Sequence, residues 1–269
     1  MNRLIIFIAL LLFSVETYAQ DDIGSSARNW YSLYISKKIS PKWSIENYSL
    51  FASKNLSNEF WLGQVQLSAT YRFDRYISLQ GGYSFSIYKH SDWWESHYEQ
   101  DPIFSDFIGF HALLTELKYK IPINSWLLWD QRLGSKFYIP AFEKYQLRAY
   151  YTTRLSTQAF HKNLQSKFYI QGTLYYFHNG RISPEFTPFQ NGTSGFHRYR
   201  LKANLSFRPI KELRKVKLNI YYMINREFNL GNGVNGLNRT VTNLETSNTT
   251  TLIPFNNYNT FGMQVNVFI

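Results

Sequence analysis

Residues 61–87 read WLGQVQLSATYRFDRYISLQGGYSFSI, and their period is two. Trp61, Gly63, Val65, Leu67, Ala69 and Tyr71 fall on one face, with Leu62, Gln64, Gln66, Ser68, Thr70 and Arg72 on the other. After a turn at Phe73, Asp74 and Arg75 the pattern resumes: Ile77, Leu79, Gly81, Tyr83, Phe85 and Ile87 against Ser78, Gln80, Gly82, Ser84 and Ser86. Strict alternation of this kind belongs to β-strands with one apolar and one polar face. Strands of soluble sandwiches run about five or six residues, whereas a tilted strand crossing a bilayer needs roughly nine to eleven. Both runs are long enough to cross.

The first residues give an address that suits such strands. Arg3 is a positive n-region, Leu4 to Val15 a short apolar core, and Thr17-Tyr18-Ala19 a small-residue cleavage site before Gln20. We expect a signal peptide over 1–19 and a barrel domain over 20–269 in an outer membrane. The apolar run falls short of the ~20 residues of a spanning helix. The chain has no cysteine, so disulfides, thiol catalysis and the lipidated cysteine of a lipoprotein are excluded. Aromatic residues make up 19% of the chain while mean hydropathy is slightly negative, which a barrel reconciles because only alternate residues meet lipid. The net charge of +11 raises nucleic acid as a partner, but an exported chain with no compact basic motif argues against it.

Further alternating segments lie at Trp30 to Ile39, Trp43 to Phe51, Phe110 to Lys120, Trp126 to Tyr138, Glu143 to Ser156, Gln165 to Asn179, Phe196 to Pro209, Lys215 to Asn225 and Phe261 to Ile269. Ser40-Pro41-Lys42 joins the first two, and Pro122, which offers no backbone donor, is expected to end the ladder before Ile123 and Asn124. Turns near 40, 74, 122, 160 and 211 are short, while 90–109, 180–195 and 227–256 are long. Outer-membrane barrels have short periplasmic turns and long outside loops. The expected fold is therefore all-β: a transmembrane antiparallel up-and-down barrel. The direct count is about eleven strands. Because bacterial single-chain barrels have even numbers, ten or twelve are expected, with a weak N-terminal strand misassigned or another strand within 237–253.

Trp129-Asp130-Gln131-Arg132 and Tyr145-Gln146-Leu147-Arg148-Ala149-Tyr150 resemble the paired arginine-bearing central strands of the domain of unknown function 2490 family. Phe196-His197-Arg198-Tyr199-Arg200-Leu201, Leu218-Asn219-Ile220-Tyr221-Tyr222 and Asn257-Tyr258-Asn259-Thr260-Phe261-Gly262 resemble that family's closing strands in order and spacing. The terminal Ile269, where many barrels carry an aromatic, departs from the pattern. The resemblance implies an outer-membrane barrel of a Gram-negative cell and no known activity.

The strongest functional signal is the sign of charge on the polar faces. If apolar residues face lipid, Arg132, Lys136, Lys144, Arg148, Arg154, Lys167, Arg198, Arg200, Lys202 and Lys217 point inward, against few acids such as Glu116 and Asp130. A basic lumen focuses field and draws anions, and arginine can grip two oxygens of a carboxylate or phosphate. Arg132, Arg148, Arg154, Arg198, Arg200 and Lys202 are the expected ligand-binding set for small anionic solutes in a porin-like conduit or binding site. The alternative makes these residues pore-filling structure, paired with Glu116, Asp130, Glu227 and loop acids, in a sealed barrel that serves as a surface platform. The segment 90–106 is acidic and aromatic, with Asp92, Glu95, Glu99, Asp101 and Asp106 among Trp93, Trp94 and Tyr98, but its spacing matches no metal loop. Among His90, His97, His111, His161, His178 and His197, none sits in a recognisable nucleophile motif. A lipid hydrolase or acyltransferase is thus the third reading, with no catalytic residue, metal or cofactor assigned. The expected partners are outer-membrane lipid, the barrel-insertion machinery and small anions. Gly231 to Gly236 reads as a mobile loop.

Overall fold

The computed structural model describes residues 26–54, 60–89, 107–142, 145–157, 164–180, 193–210, 212–227, 240–242, 249–251 and 257–269. The segment 1–19, the acidic stretch 90–106, Lys144, His161 and the glycine-rich 231–236 lie outside the described residues, as do the side chains of His197 and Glu227.

The elements are strands: β1 (Ser26–Lys38), β2 (Trp43–Lys54), β3 (Phe60–Arg72), β4 (Ile77–Lys89), β5 (Phe107–Pro122), β6 (Leu127–Phe142), β7 (Tyr145–Thr157), β8 (Lys167–Gly180), β9 (Thr193–Phe207), β10 (Val216–Glu227), β11 (Thr240–Thr242), β12 (Thr249–Thr251) and β13 (Tyr258–Phe268). Among the described residues, β1 to β10 and β13 close a barrel in which sequence neighbours pair antiparallel. The direct count of eleven therefore holds, and the even-number argument for ten or twelve does not. An odd number of up-and-down strands forces one parallel pair, and it lies at the seam, where Ser26 to Ser36 of β1 run beside Tyr258 to Phe268 of β13. The segment 237–253 does carry β11 and β12, but they pair with each other outside the barrel.

The short connections at one end share a construction dictated by single side chains. Ser40 Oγ accepts the amides of Lys42 and Trp43, Asp74 Oδ1 those of Tyr76 and Ile77 at 2.6 and 2.7 Å, and Asn124 Oδ1 those of Trp126 and Leu127 at 2.9 Å each. Each polar residue thus imitates a backbone turn. Pro122 stands where the ladder was expected to end. It is the last residue of β5 and pairs with Leu128, two residues beyond Lys120, because a proline at a strand end removes no interior bond.

The amides of Ile77 and Tyr76 hold the exposed Asp74 carboxyl below the usual carboxylate range. A depressed carboxylate stabilises the fold above its unfolded pKa of about 3.9, and that contribution is lost as pH falls through the lower folded value. Wild type should exceed Asp74→Ala in urea midpoint near neutral pH, with the gap narrowing below about pH 4. A gap that does not change with pH would remove the carboxylate from the account.

The two faces of the wall are as the alternation predicts. Leu67, Leu113, Leu133 and Phe261 are 54%, 53%, 60% and 57% exposed on the outside, while Ser68, Gln80, Ser84, Asp130 and Asn266 are buried inside. This inverts the usual soluble arrangement. Trp61 departs from its assigned face. The register of β2 against β3 slips between Ala52 and Ser53, so that Leu62 pairs with Ala52 and Phe60 with Ser53. Trp61 is the extra residue, and its ring turns inward beneath Arg28 while Phe60 keeps the outer face against Phe51. At Gly82 an added Cβ would meet the Leu67 carbonyl oxygen and lie 2.6 Å from the Ser68 Cβ, so only glycine lets β4 approach β3 there.

Candidate functional site

Inward parity on the strands assembles a polar belt across half the wall. Glu46 of β2 accepts from Ser44 (3.3 Å) and from Thr70 of β3 (3.0 Å), and Gln80 of β4 donates to its other oxygen at 2.9 Å. Gln80 in turn accepts from Lys118 of β5 at 2.9 Å, and Lys118 lies 3.3 Å from Glu116. Glu116 also takes the Tyr150 hydroxyl of β7 at 2.8 Å, with Arg132 of β6 at 3.8 Å. Asp130, with 0% exposure, accepts from Arg132 Nε at 2.8 Å and from Arg154 Nη2 at 2.9 Å. Both carboxylate oxygens of each of these three acids meet a donor, as buried polar groups require.

Arg200 of β9 organises a second level. Its Nε donates to Asn225 Oδ1 at 2.7 Å, its Nη1 to the Tyr175 hydroxyl and its Nη2 to the Tyr258 hydroxyl, both at 3.0 Å. Tyr175 belongs to an apolar cluster with Phe110, Ala112, Tyr138 and Phe177. Tyr258 belongs to another with Trp30, Leu50, Ala52, Leu62, Tyr221 and Met223. One planar guanidinium therefore ties the two clusters together, a geometry lysine cannot supply. Three further cations lie against rings: Arg148 5.5 Å from the centre of Tyr175, Arg198 5.3 Å from Phe177, and Lys202 Nζ 3.5 Å from Tyr221. Lys136 is buried with no carboxylate bridged to it among the described residues.

All six arginines and lysines expected to bind ligand lie on inward strand positions, but they divide. Arg132 and Arg154 are spent on Asp130; Arg148, Arg198, Arg200 and Lys202 stand among aromatic rings. Sequence reading missed Glu46, Lys118 and Arg28, whose guanidinium is held 3.6 Å from Trp61 and 3.8 Å from Tyr258. Parity with Ser44 and Tyr48, or with Trp30 and Ser32, carried that signal. His111 is on the outer wall, bonded through Nδ1 to the Tyr83 hydroxyl and packed on Phe85, and His178 is also exposed.

The fold and this interior define a class: a closed β-barrel, apolar outside, with a polar and predominantly basic inside. The chain belongs to the family described as Protein of unknown function (DUF2490), which matches residues 27–235. The match takes in Trp129 to Arg132, Tyr145 to Tyr150, Phe196 to Leu201 and Leu218 to Tyr222, while Asn257 to Gly262 lies beyond it. No curated protein matches the chain.

Proposed function

We propose that this protein spans the outer membrane of a Gram-negative cell, after removal of residues 1–19, and that its lumen takes up small anions. The exposed apolar wall supports the membrane placement. So do outer aromatic residues toward both ends, Trp43 with Tyr71 and Phe73 at the turns and Phe51 with Phe60 opposite. From Trp43 to Phe51 the strand runs about 26 Å, or about 20 Å of height after a ~40° tilt, near the apolar band of known barrels. Short turns are then periplasmic.

The observation that carries the anion reading is the charge imbalance inside. Glu46, Glu116 and Asp130 are consumed by their own neighbours, and the buried Lys136 and the ring-stacked Lys202 have no bridged carboxylate among the described residues. Such a lumen favours negative solutes. In planar bilayers under a salt gradient, the refolded protein should give small, anion-preferring steps. Lys136→Glu with Lys202→Glu changes the lumen charge by about four units and should shift the permeability ratio toward cations by at least about fivefold, the worth of a single unit charge at ~4 Å in water. Unchanged preference in the folded variant would count against the reading.

A second reading, a sealed barrel acting as a surface platform, is favoured by the two apolar clusters, which fill the lumen with rings of Tyr138, Tyr175, Phe177, Trp30 and Tyr258. Electrical silence from folded protein would select it.

A further inference from the structure

Charge divides between the two ends of the barrel. The long connection 90–106 holds acids and no lysine or arginine, whereas the short turns at the opposite end carry cations. Three of these stand on the outer side of the wall where β1 to β4 run side by side. Lys37 follows Leu33 and Ile35 on the outer face of β1 and pairs with the exposed Ile45 of β2. Lys42 lies in the next turn, its Nζ 5.9 Å from the centre of the outward Tyr71 ring. Arg75 is in the turn between β3 and β4, its guanidinium 4.6 Å from the centre of Tyr76. All three are exposed, and among the described residues none is bridged to a carboxylate. Asp74, the acid beside Arg75, gives its Oδ1 to the amides of Tyr76 and Ile77.

Rings fill the space between these cations. Trp43 and Tyr71 are register partners with centres 4.9 Å apart, and Phe73 sets its edge against Tyr71 at 5.0 Å. Backbone bonds tie the neighbouring turns together: the Arg72 amide donates to the Lys42 carbonyl at 2.8 Å, and the Lys120 amide to the Tyr76 carbonyl at 3.0 Å. The cations and rings therefore stand on a fixed frame. Along the strands from this patch the outer wall continues through Ile45, Leu67 and Leu79, all exposed.

An occupant of this surface must offer negative charge at the strand ends and hydrocarbon along the strands. A small anion meets only the first requirement. A phospholipid with a negative headgroup meets both. Aromatic rings settle at headgroup level, a lysine stem lies on apolar surface while its ammonium reaches outward, and each lysine or arginine near an anionic lipid surface strengthens binding about fivefold. We propose that Lys37, Lys42 and Arg75, with the slope of Trp43, Tyr71 and Phe73, form a site for an anionic phospholipid whose acyl chain lies along Ile45 and Leu67. The proposal rests on the membrane placement above, and with periplasmic short turns the site belongs to the inner leaflet.

Quenching of Trp43 fluorescence by brominated lipids tests it, in the full chain refolded into phosphatidylcholine vesicles. Trp126→Phe, present throughout, removes the other exposed tryptophan among the described residues, and the heat-dependent shift on gels reports that each variant has folded. Brominated phosphatidylglycerol should associate at least about fivefold more tightly than brominated phosphatidylcholine at low salt, and the preference should shrink at about 0.5 M salt. Replacing Lys37, Lys42 and Arg75 together by glutamine should bring the ratio to about one. Lys38→Gln, at an inward position opposite the buried Ser44, should leave it unchanged. Equal quenching by the two lipids overturns the lipid site while the membrane placement stands, and leaves the patch to an acidic protein. A preference that survives the triple variant overturns the site as well. Quenching by neither lipid overturns both the site and the membrane placement.

Discussion

Replacing Arg200 with methionine should destabilise the barrel by about 3–5 kcal/mol, measured as urea unfolding in detergent or lipid vesicles. The guanidinium makes three bonds of 2.7, 3.0 and 3.0 Å, to Asn225, Tyr175 and Tyr258, whose exposures are 0%, 8% and 1%. Each hydrogen bond to a charged group contributes about 1.5–3 kcal/mol, and a buried polar atom stripped of its partner costs about 1–3. Even after relaxation, losses at three buried acceptors do not cancel. Lysine should rescue little, since a point charge cannot reach three directions in one plane. A loss below about 1 kcal/mol would mean that the interior is wet enough to replace the fork. The same geometry decides how selectivity should be probed. Charge inversion at Arg200 would confound ion preference with unfolding, so Lys136 and Lys202 are the informative positions.

Asp130→Asn should cost a similar amount, about 3–5 kcal/mol, the usual penalty for removing one partner of a buried ion pair. Asp130 is the carboxylate between Arg132 and Arg154, and without its charge the two guanidiniums face each other across β6 and β7. The second consequence is electrostatic: the lumen gains one net positive charge, so the folded variant should be more anion-preferring than wild type in bilayers. Adding Arg132→Met should recover part of the lost stability, and the coupling in that double-mutant cycle measures the pair. Independent, additive losses would remove the ion pair from the account.

The alternation in 61–87 made the outer wall legible because a period of two is local: each residue's face follows from its neighbours once the strand is extended. Eleven segments were countable for the same reason, and Ser40, Asp74 and Asn124 stand in sequence where their turns occur. Legibility failed toward the long-connection end. There the inside is aromatic as well as the outside, so Leu62, Tyr138, Tyr175 and Phe177 blur the contrast between faces, and one bulge turned Trp61 inward. Glu46 and Lys118 were overlooked because one polar residue at an inward position looks like any other until its neighbours on adjacent strands are known.

By itself, then, the sequence determined strand faces, turn positions and the positive sign of the interior, all properties of residues one to four apart. Tertiary structure alone decided three further things. It closed the barrel through a parallel seam, β1 on β13, against the even-number expectation. It joined Gln80 to Glu46, Tyr150 to Glu116 and Arg200 to Tyr258, partners 34, 34 and 58 residues apart. Among the described residues it left Asn204 and Arg154 Nε without hydrogen-bond partners while satisfying the acids around them. The reason is geometric. Hydrogen bonds reach only about 3 Å, so which inward groups meet depends on the register and stagger of the closed barrel. No window along one strand contains that information.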